Sequence, residues 1–428
     1  MTKIFHPCTY KLFQQFLSRL IIKSIFSLLF INSIIQSKDI VVSPQGSIQQ
    51  ISQALELAKK NDRILIKKGI YRESNLLVNK SIEIIGEDFP EIDGQNQGQV
   101  LLIRADSVVL KGLVIKNAAV SFIDDNAGVK LDSSFHCVLE NNKFINNFFA
   151  IYLSRSANCR IIENNVQGEA QSQSTSGNGI HLWYCRDITI ENNQVTGHRD
   201  GIYFEFVERG RITGNISENN LRYGLHFMFS DRCHYQSNVF RNNGSGVAVM
   251  YTKSVEMYRN QFEYNWGDAS YGLLLKDITD SKIADNTFLR NTMAIYAENS
   301  SRVDVKNNQF IENGWAVKIM ANCLNNLFTE NNFMGNTFDV ATNSRQNFNT
   351  FNKNYWANYK GYDLDGDGYG DVPYRPVSFF SYLVEKNPPT LILLRGLFIQ
   401  FLDLAESVIP MLTPETLIDE NPLMRRVQ

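Results

Sequence analysis

A repeat of mostly 22 or 23 residues constrains the fold of this chain more than any other feature. Most repeat units begin with Gly or Ala, followed by an apolar residue, a variable residue and a second apolar residue. The units begin at Gly128, Ala150, Gly179, Gly201, Gly224, Gly246, Gly272, Ala294, Ala316 and Phe338. Periods of about 20 to 50 residues are typical of solenoids. A length of 428 residues, which would otherwise favour two or three domains, therefore fits one long array.

Short runs of alternating apolar residues make up each unit, and Asn, Ser, Asp and Gly separate the runs. Runs of about three to five residues are too short for helices and indicate strands joined by turns. The fifteenth position of the unit is repeatedly Asn, at Asn142, Asn164, Asn193, Asn215, Asn238, Asn260, Asn286 and Asn308. Asn side chains that stack at a turn can pass hydrogen bonds from one coil to the next.

Aromatic residues recur two positions after this Asn, and we predict that they stack in the core. They are Phe144, Phe240, Phe262, Phe288 and Phe310. Together these patterns predict an all-β chain folded as a right-handed parallel β-helix of roughly ten to twelve coils, over residues 63–355. A leucine-rich-repeat horseshoe has a similar period, but its L-x-x-L-x-L-x-x-N pattern is absent from the sequence.

Residues 1–37 are predicted to be a signal peptide. Basic residues lead into the apolar stretch Ser24 to Ile35, which has about the length of a signal-peptide core and falls short of the roughly 20 residues of a membrane span. Cleavage is expected near Ser37, and the alternative is an uncleaved N-terminal anchor. The six cysteines of the chain would ordinarily indicate disulfides in an exported protein. They are dispersed without a C-x-x-C pair, which gives zinc-site and thioredoxin-like interpretations little support.

The segments that flank the repeats are predicted to be helical. Residues 38–62 contain an amphipathic helix with Ile48, Ile51, Leu55 and Ala58 on one face, followed by the first strand. We expect this cap to cover the open end of the solenoid. Residues 377–428 form a predicted amphipathic tail whose charged residues argue against a membrane span. The tail should lie on the solenoid flank or on a partner at the membrane surface. Its candidate contact residues are Leu394, Leu397, Phe398 and Phe401.

Residues 356–376 form an Asp/Gly-rich loop that resembles an EF-hand calcium loop. Its carboxylates at positions 1, 3, 5 and 9 are Asp363, Asp365, Asp367 and Asp371, and a Gly occupies the sixth position. The twelfth position, where an EF-hand has Glu, is Tyr374. The pattern predicts a weak or purely structural Ca²⁺ site, and the alternative is an Asp/Gly turn without an ion.

The third and fifth residues of each unit are predicted to point outward, because the second and fourth are apolar. This places Met228 beside Met250 on adjacent coils, with His226 two positions from Met228 on the same strand. Two thioethers and one imidazole favour Cu(I), and neighbouring Glu205 could orient the imidazole. The alternative for these exposed side chains is a docking patch for another protein or a ligand.

Other classes of function find less support in the sequence. The net charge is −2, and its acidic and basic residues are dispersed, so nucleic acid is not an expected partner. The stretch GHRDGIYFE brings His198, Arg199, Asp200 and Glu205 together, which suggests a polysaccharide-binding or polysaccharide-modifying protein as the alternative function. A hydrolase needs two facing carboxylates, and no second acid follows Glu205 in the fifth column before Glu298. Enzymatic activity is therefore not expected.

The stretch NYWANYKGYDLDGDGYGDVPYRP, the paired coils GLHFMFS and GVAVMYTKSVEMYRN, and the tail NPLMRR resemble the NosD family of nitrous oxide reductase maturation proteins. The resemblance implies a periplasmic accessory protein for the copper–sulfur centre of that reductase. It also implies a membrane permease with its ATPase as partners, together with the reductase and a copper chaperone. The chain has no G-x-x-x-x-G-K-[ST] motif, so a partner must hydrolyse any ATP. Copper, sulfur and the reductase itself stay open as the cargo.

Overall fold

The computed structural model describes residues 37–121, 123–344, 346–394, 396, 401–402, 405–406 and 417–427. The predicted leader, up to residue 36, lies outside these residues. The chain divides into two compact units, Met1–Asp39 and Ile40–Gln428, and the solenoid belongs to the second. Its strands pair in parallel between successive coils, which confirms the predicted parallel β-helix.

Three ladders of strands run the length of the β-helix. Ladder A contains β4 (Leu76–Val78), β7 (Leu101–Ile103), β10 (Ala127–Asp132), β13 (Phe149–Ser154), β16 (Ile180–Trp183), β19 (Asp200–Glu205), β22 (Tyr223–Met228), β25 (Ser245–Lys253), β28 (Tyr271–Ala284), β30 (Met293–Glu298), β33 (Trp315–Ile319) and β36 (Phe338–Ala341). Ladder B contains β1 (Asp39–Val42), β2 (Arg63–Ile66), β5 (Glu83–Gly86), β8 (Val109–Lys111), β11 (Val138–Glu140), β14 (Arg160–Ile162), β17 (Thr189–Glu191), β20 (Arg211–Thr213), β23 (His234–Gln236), β26 (Glu256–Tyr258), the end of β28, β31 (Ser301–Lys306), β34 (Leu324–Thr329) and β37 (Phe348–Asn352).

Ladder C is a separate sheet of 13 strands. It contains β3 (Ile70–Tyr71), β6 (Glu91–Asp93), β9 (Val114–Lys116), β12 (Lys143–Ile145), β15 (Asn165–Gln167), β18 (Gln194–Thr196), β21 (Ile216–Glu218), β24 (Val239–Arg241), β27 (Gln261–Glu263), β29 (Thr287–Leu289), β32 (Gln309–Ile311), β35 (Asn332–Met334) and β38 (Tyr355–Trp356). Each coil contributes one strand to ladder C, so its 13 strands exceed the ten to twelve coils expected. The sequence undercounts the coils because those before Gly128 lack the Gly-apolar start that reveals the repeat.

The predicted Asn and aromatic columns both form inside the helix. Asn215 Nδ2 donates to Asn238 Oδ1 at 3.0 Å, and the same contact links the predicted residues from Asn142 to Asn308 and continues to Asn331 and Asn354. The rings of Phe262 and Phe288 stack with centroids 4.6 Å apart, and Phe240 and Phe310 extend the stack at 5.7 and 5.0 Å. Phe144 is buried but lies outside this stack, because its strand neighbours are Ile115 and Val166. A second Asn column, from Asn220 to Asn336, was not foreseen.

The N-terminal cap differs from the predicted helix followed by a strand. Strand β1 comes first, and helix α1 (Ile51–Leu57) has only seven residues. The Glu73 carboxylate accepts hydrogen bonds from the first two backbone N–H groups of α1, at 2.6 and 2.9 Å, and so satisfies donors that a short helix leaves unpaired. Ile51 and Leu55 of α1 are buried in the core, as the apolar face predicts.

The C-terminal tail is helical in its first part and again at residues 401–402 and 405–406. Helix α2 (Phe379–Lys386) is followed by a 3₁₀ helix (Pro388–Leu393), whereas residues 417–427 are not helical. In this last segment Asp419 and Leu423 form β-bridges with Phe351 and Tyr355. The end of the chain therefore completes the last coils of the β-helix. No helix within the described ranges has the length and apolar character needed to cross a membrane.

Five of the six cysteines lie in described residues, and all five are buried free thiols. They are Cys137, Cys159, Cys185, Cys233 and Cys323. The disulfides that an exported chain ordinarily suggests are therefore not formed by these five. The sixth, Cys8, lies in the leader outside the described residues.

Candidate metal centre

Ladder A brings Glu205, Met228 and Met250 side by side on three adjacent coils. Strand register pairs Glu205 with Met228, and Met228 with Met250. His226 lies two residues before Met228, between Tyr203 and Ala248 of the neighbouring coils. The register therefore has the adjacency that the sequence predicts for these residues.

The inward and outward faces of this strand also follow the predicted alternation. Leu225 and Phe227 are fully buried in the core, while Met228 and Met250 are half-buried on the outer face. His226 shares the outer face, but only 4% of its surface is exposed. The rings of Tyr203 and Tyr223 lie 4.9 and 4.8 Å from its centroid and cover it, so the imidazole is more enclosed than the pattern suggests.

Asp200, rather than Glu205, is the carboxylate recorded beside the imidazole. Asp200 Oδ2 lies 3.6 Å from His226 Nδ1, and Arg222 Nη2 lies 3.3 Å from the same nitrogen. Asp200 is the first residue of β19 and is fully buried, whereas the sequence places it in a turn. Arg222 holds this carboxylate through both Nε, at 2.8 Å, and Nη2.

The charge of Asp200 is maintained by these neighbours. Burial alone would raise the pKa of Asp200, but the hydrogen bonds and charge of Arg222, with the His226 side chain nearby, hold that pKa below its usual value. Asp200 is thus an ionised acceptor next to the imidazole. It was missed because it precedes the Gly from which each repeat is counted.

His226 Nε2 is an orphaned buried atom: in the part of the chain that the structure describes, it has no hydrogen-bond partner. Buried polar atoms without partners are uncommon and call for an explanation. A ligand to a metal ion provides one, because a ring nitrogen with a free lone pair binds metals. The donor set of one imidazole nitrogen and two thioethers fits Cu(I).

Tyr203 contacts the same group of residues. Its hydroxyl donates a hydrogen bond to Met228 Sδ at 3.6 Å. Burial, together with the charges of Glu205 and Asp200, raises the pKa of Tyr203 to about 12, so the hydroxyl remains a donor at neutral pH. In this arrangement the hydroxyl proton occupies one of the two lone pairs of the sulfur.

The other histidines of this region contact groups outside the candidate centre. His181 stacks on Tyr152 and Tyr203 with centroids 4.6 and 4.7 Å away, and burial together with the Arg199 charge lowers its pKa to about 3. Burial likewise lowers the pKa of His198 to about 4. His234 lies in ladder B, 3.4 Å from Glu256, and Met257 is in the core. These positions are separate from the candidate centre, as the repeat register predicts for His234 and Met257.

An exposed aromatic stack, not foreseen from the sequence, runs beside the methionines. It consists of Tyr184, Phe206, Phe229 and Tyr251, whose centroids are 4.5, 5.1 and 5.0 Å apart in near-parallel pairs. All four residues have φ between 49° and 54°, in the left-handed region that bulky side chains rarely adopt. Phe229 and Tyr251 directly follow Met228 and Met250, so the stack adjoins the candidate centre.

The Asp/Gly loop brings three of its four acids together. Ligand oxygens of Asp363, Asp365 and Asp367 lie within 4.8 Å of one another. Asp371 instead accepts a hydrogen bond from the Leu364 backbone N–H at 2.7 Å. The twelfth-position Tyr374 exchanges backbone hydrogen bonds of 2.9 Å with Asp419, so this position ties the loop to the C-terminal segment.

The tail residues predicted to contact a partner fall into three groups. Leu394 packs against a small apolar cluster that joins α2 to Phe338 of the solenoid. Phe401 is 68% exposed. Leu397 and Phe398 lie outside the described residues. Ile392, next to the predicted set, is 89% exposed, which makes it the most open apolar side chain of the described tail.

Comparison with known proteins relates the chain to one family. Residues 167–361, which contain the candidate centre, match the family described as periplasmic copper-binding protein (NosD). Two relatives named "Probable ABC transporter binding protein NosD" are each 26% identical. The Pseudomonas aeruginosa protein aligns over 82% of this chain and 86% of its own length, and the Stutzerimonas stutzeri protein over 82% and 85%.

Solved structures of low sequence identity share the architecture. The family 28 exopolygalacturonase of Yersinia enterocolitica superposes with a TM-score of 0.54 at 10% identity, over 75% of this chain and 78% of the enzyme. At this identity the likeness concerns the fold alone, because β-helices support unrelated functions.

Proposed function

Because the chain belongs to the NosD family, we propose that it is a periplasmic accessory protein that accepts Cu(I) as cargo at His226, Met228 and Met250 and presents it for assembly of the copper–sulfur centre of nitrous oxide reductase. The supporting observation is the pairing of Met228 with Met250 beside the orphaned His226 Nε2. Thioether and imidazole ligands favour Cu(I) over harder divalent ions.

Competition with a Cu(I) chelator tests this proposal directly. The mature chain, purified without copper, is titrated under anaerobic conditions against bathocuproine disulfonate. We expect about one Cu(I) per chain, and the double variant Met228→Ala/Met250→Ala should lose at least about tenfold in affinity because both thioethers are gone. Met320→Ala is the matched control, since Met320 is a half-buried thioether directly after β33. A double variant that binds as well as the parent would place the ligands elsewhere.

We propose that the ABC transporter permease, with its ATPase subunit, receives the tail of this chain. The relatives' name supports a transporter partner, and the exposed Ile392 and Phe401 offer apolar contacts. Removal of everything from Pro388 onward would also remove Asp419 and the end of the β-helix. The sharper variant is therefore Ile392→Ser/Phe401→Ser, which should abolish co-purification with the permease while the fold stays intact. A fully retained complex would contradict this assignment.

We propose a non-catalytic role, with the reductase and a copper chaperone as exchange partners. The acid that the polysaccharide alternative would need, Asp200, is fully buried and bound by Arg222. A carboxylate so engaged is not free to act as a general acid or base. Uronate polymers incubated with the purified chain should therefore remain unmodified, and turnover of such a polymer would favour the alternative function.

A further inference from the structure

We propose that Asp200 is a positioning residue for the candidate metal centre: its carboxylate accepts the Nδ1 proton of His226 and so leaves Nε2 as the atom that binds Cu(I). The identity of the ion rests on the proposed function. The position of the imidazole proton, in contrast, is a property of the metal-free protein and can be measured without copper.

Two groups compete for His226 Nδ1. Arg222 Nη2 is 3.3 Å away and can only donate, while Asp200 Oδ2 is 3.6 Å away and, when ionised, can only accept. If Arg222 donates, the neutral ring carries its proton on Nε2, which cannot then bind a metal. If Asp200 accepts, the proton is on Nδ1 and the Nε2 lone pair is free.

The contacts of Arg222 and Asp200 favour the second arrangement. Arg222 already donates to both oxygens of Asp200, so its guanidinium does not require Nδ1 as an acceptor. Asp200 Oδ1 accepts from Arg222 Nε at 2.8 Å and from the Tyr223 backbone N–H at 3.3 Å. Oδ2 accepts from Arg222 Nη2, and Arg199 Nε, at 3.9 Å, is too distant to donate a hydrogen bond to it, so Oδ2 retains capacity for the His226 proton. A fully buried carboxylate gains from each further donor.

A hydrogen-bonded partner behind the imidazole is the usual arrangement where a histidine binds a metal. The ring nitrogen that does not touch the ion usually donates its proton to a carboxylate, a carbonyl or water, which fixes the tautomer and the ring orientation. His226 shows both halves of this pattern, with Asp200 at Nδ1 and no partner at Nε2 in the described part of the chain. Glu205, the acid expected from the sequence, pairs with Met228 instead.

Selective ¹⁵N-histidine labelling and long-range ¹H–¹⁵N correlation spectra test the tautomer in the metal-free mature chain. The resonances of His226 are identified by their loss in His226→Gln. We expect the proton on Nδ1 in the parent protein and on Nε2 in Asp200→Asn. A parent protein with its proton on Nε2 would overturn the proposal whether or not any variant folds.

Cu(I) competition then measures the consequence for binding. Asp200→Asn should lower Cu(I) affinity by about 10- to 100-fold, the usual effect of removing a carboxylate behind a ligating imidazole. Glu298→Gln, at the same outward position of a later unit, is the matched control and should leave both affinity and tautomer unchanged. The proposal fails if Asp200→Asn binds like the parent, or if Glu298→Gln shows the same loss. A parent chain that binds no Cu(I) refutes the proposed function, while the tautomer still decides the role of Asp200.

Discussion

Asp419 follows Asn354 by 65 residues, yet its Oδ2 accepts a hydrogen bond from Asn354 Nδ2 at 3.1 Å and so ends the Asn column of the solenoid. Every earlier Asn in that column donates to the next one, and the last needs an acceptor that is not Asn. Asp419 also accepts from the backbone N–H groups of Lys353 and Asn354 and from Trp356 Nε1, each at 3.0 Å. The end of the chain therefore satisfies the donors of the final coil.

Removal of this carboxylate should destabilise the C-terminal coils. We expect Asp419→Ala to lower the free energy of unfolding by at least about 3 kcal/mol, because several buried donors lose their acceptor at once. The adjacent exposed acid provides the control, and Glu420→Ala should change stability by less than about 0.5 kcal/mol. Urea unfolding and hydrogen exchange of residues 348–356 give the two measurements. Equal stability of the two variants would show that the column needs no terminal acceptor.

Asp339 accepts the last side-chain donor of the second Asn column, as Asp419 does for the first, and its effect on stability should depend on pH. Asn336 Nδ2 donates to Asp339 Oδ1 at 3.2 Å, and burial raises the pKa of Asp339 to about 6. A carboxyl whose folded pKa is raised stabilises the fold most at low pH, and this stability falls as pH rises from about 4 through about 6. Asp339→Asn should therefore be about 2 to 3 kcal/mol more stable than the parent at pH 8 and nearly equal to it at pH 4. A pH-independent difference between the two proteins would contradict this.

The repeat predicts the register of ladder A but not the surroundings of its side chains. The Gly that begins each unit and a period of two suffice to pair Met228 with Met250. Asp200 was misplaced because it precedes Gly201, the residue from which the unit is counted, whereas β19 already begins at Asp200. The burial of His226 depends on how the long side chains of Arg222 and Tyr223 fold over it, and a one-dimensional pattern carries no information on that.

Phe229 tests whether the exposed aromatic stack contributes to folding. Its φ of 49° costs a bulky residue about 1 kcal/mol or more. Because its ring is 42% exposed, the stabilisation from ring stacking should nearly equal this cost of backbone strain. Phe229→Asn should change stability by less than about 1 kcal/mol, since Asn299 occupies the same turn position at a φ of 48°. Phe227→Ala, two residues away in the core, should cost about 3 to 5 kcal/mol. Thermal unfolding compares them, and a severe loss in Phe229→Asn would make the stack a structural element.

Calcium should bind the Asp/Gly loop weakly. Three carboxylates converge, but Tyr374 replaces the bidentate twelfth ligand, so we expect a Kd on the order of 10⁻⁴ to 10⁻³ M. Addition of 5 mM CaCl₂, a concentration chosen as roughly five times the upper limit of this range, should stabilise the fold by about 1 to 2 kcal/mol. Asp363→Asn should abolish the gain, and an equal gain with MgCl₂ would indicate non-specific screening. Isothermal calorimetry that detects no Ca²⁺ binding would leave the loop as a turn without an ion.

Tyr203 should oppose metal binding at Met228. Its hydroxyl donates to Met228 Sδ at 3.6 Å, and this bond competes with Cu(I) for the lone pairs of the sulfur. Because a hydrogen bond of this kind contributes about 1 kcal/mol, Tyr203→Phe should bind Cu(I) about fivefold more tightly than the parent in chelator competition. Tyr296→Phe, at the same position of a later unit and away from the candidate centre, should leave affinity unchanged. A fall in affinity for Tyr203→Phe would instead make the hydroxyl part of the binding site.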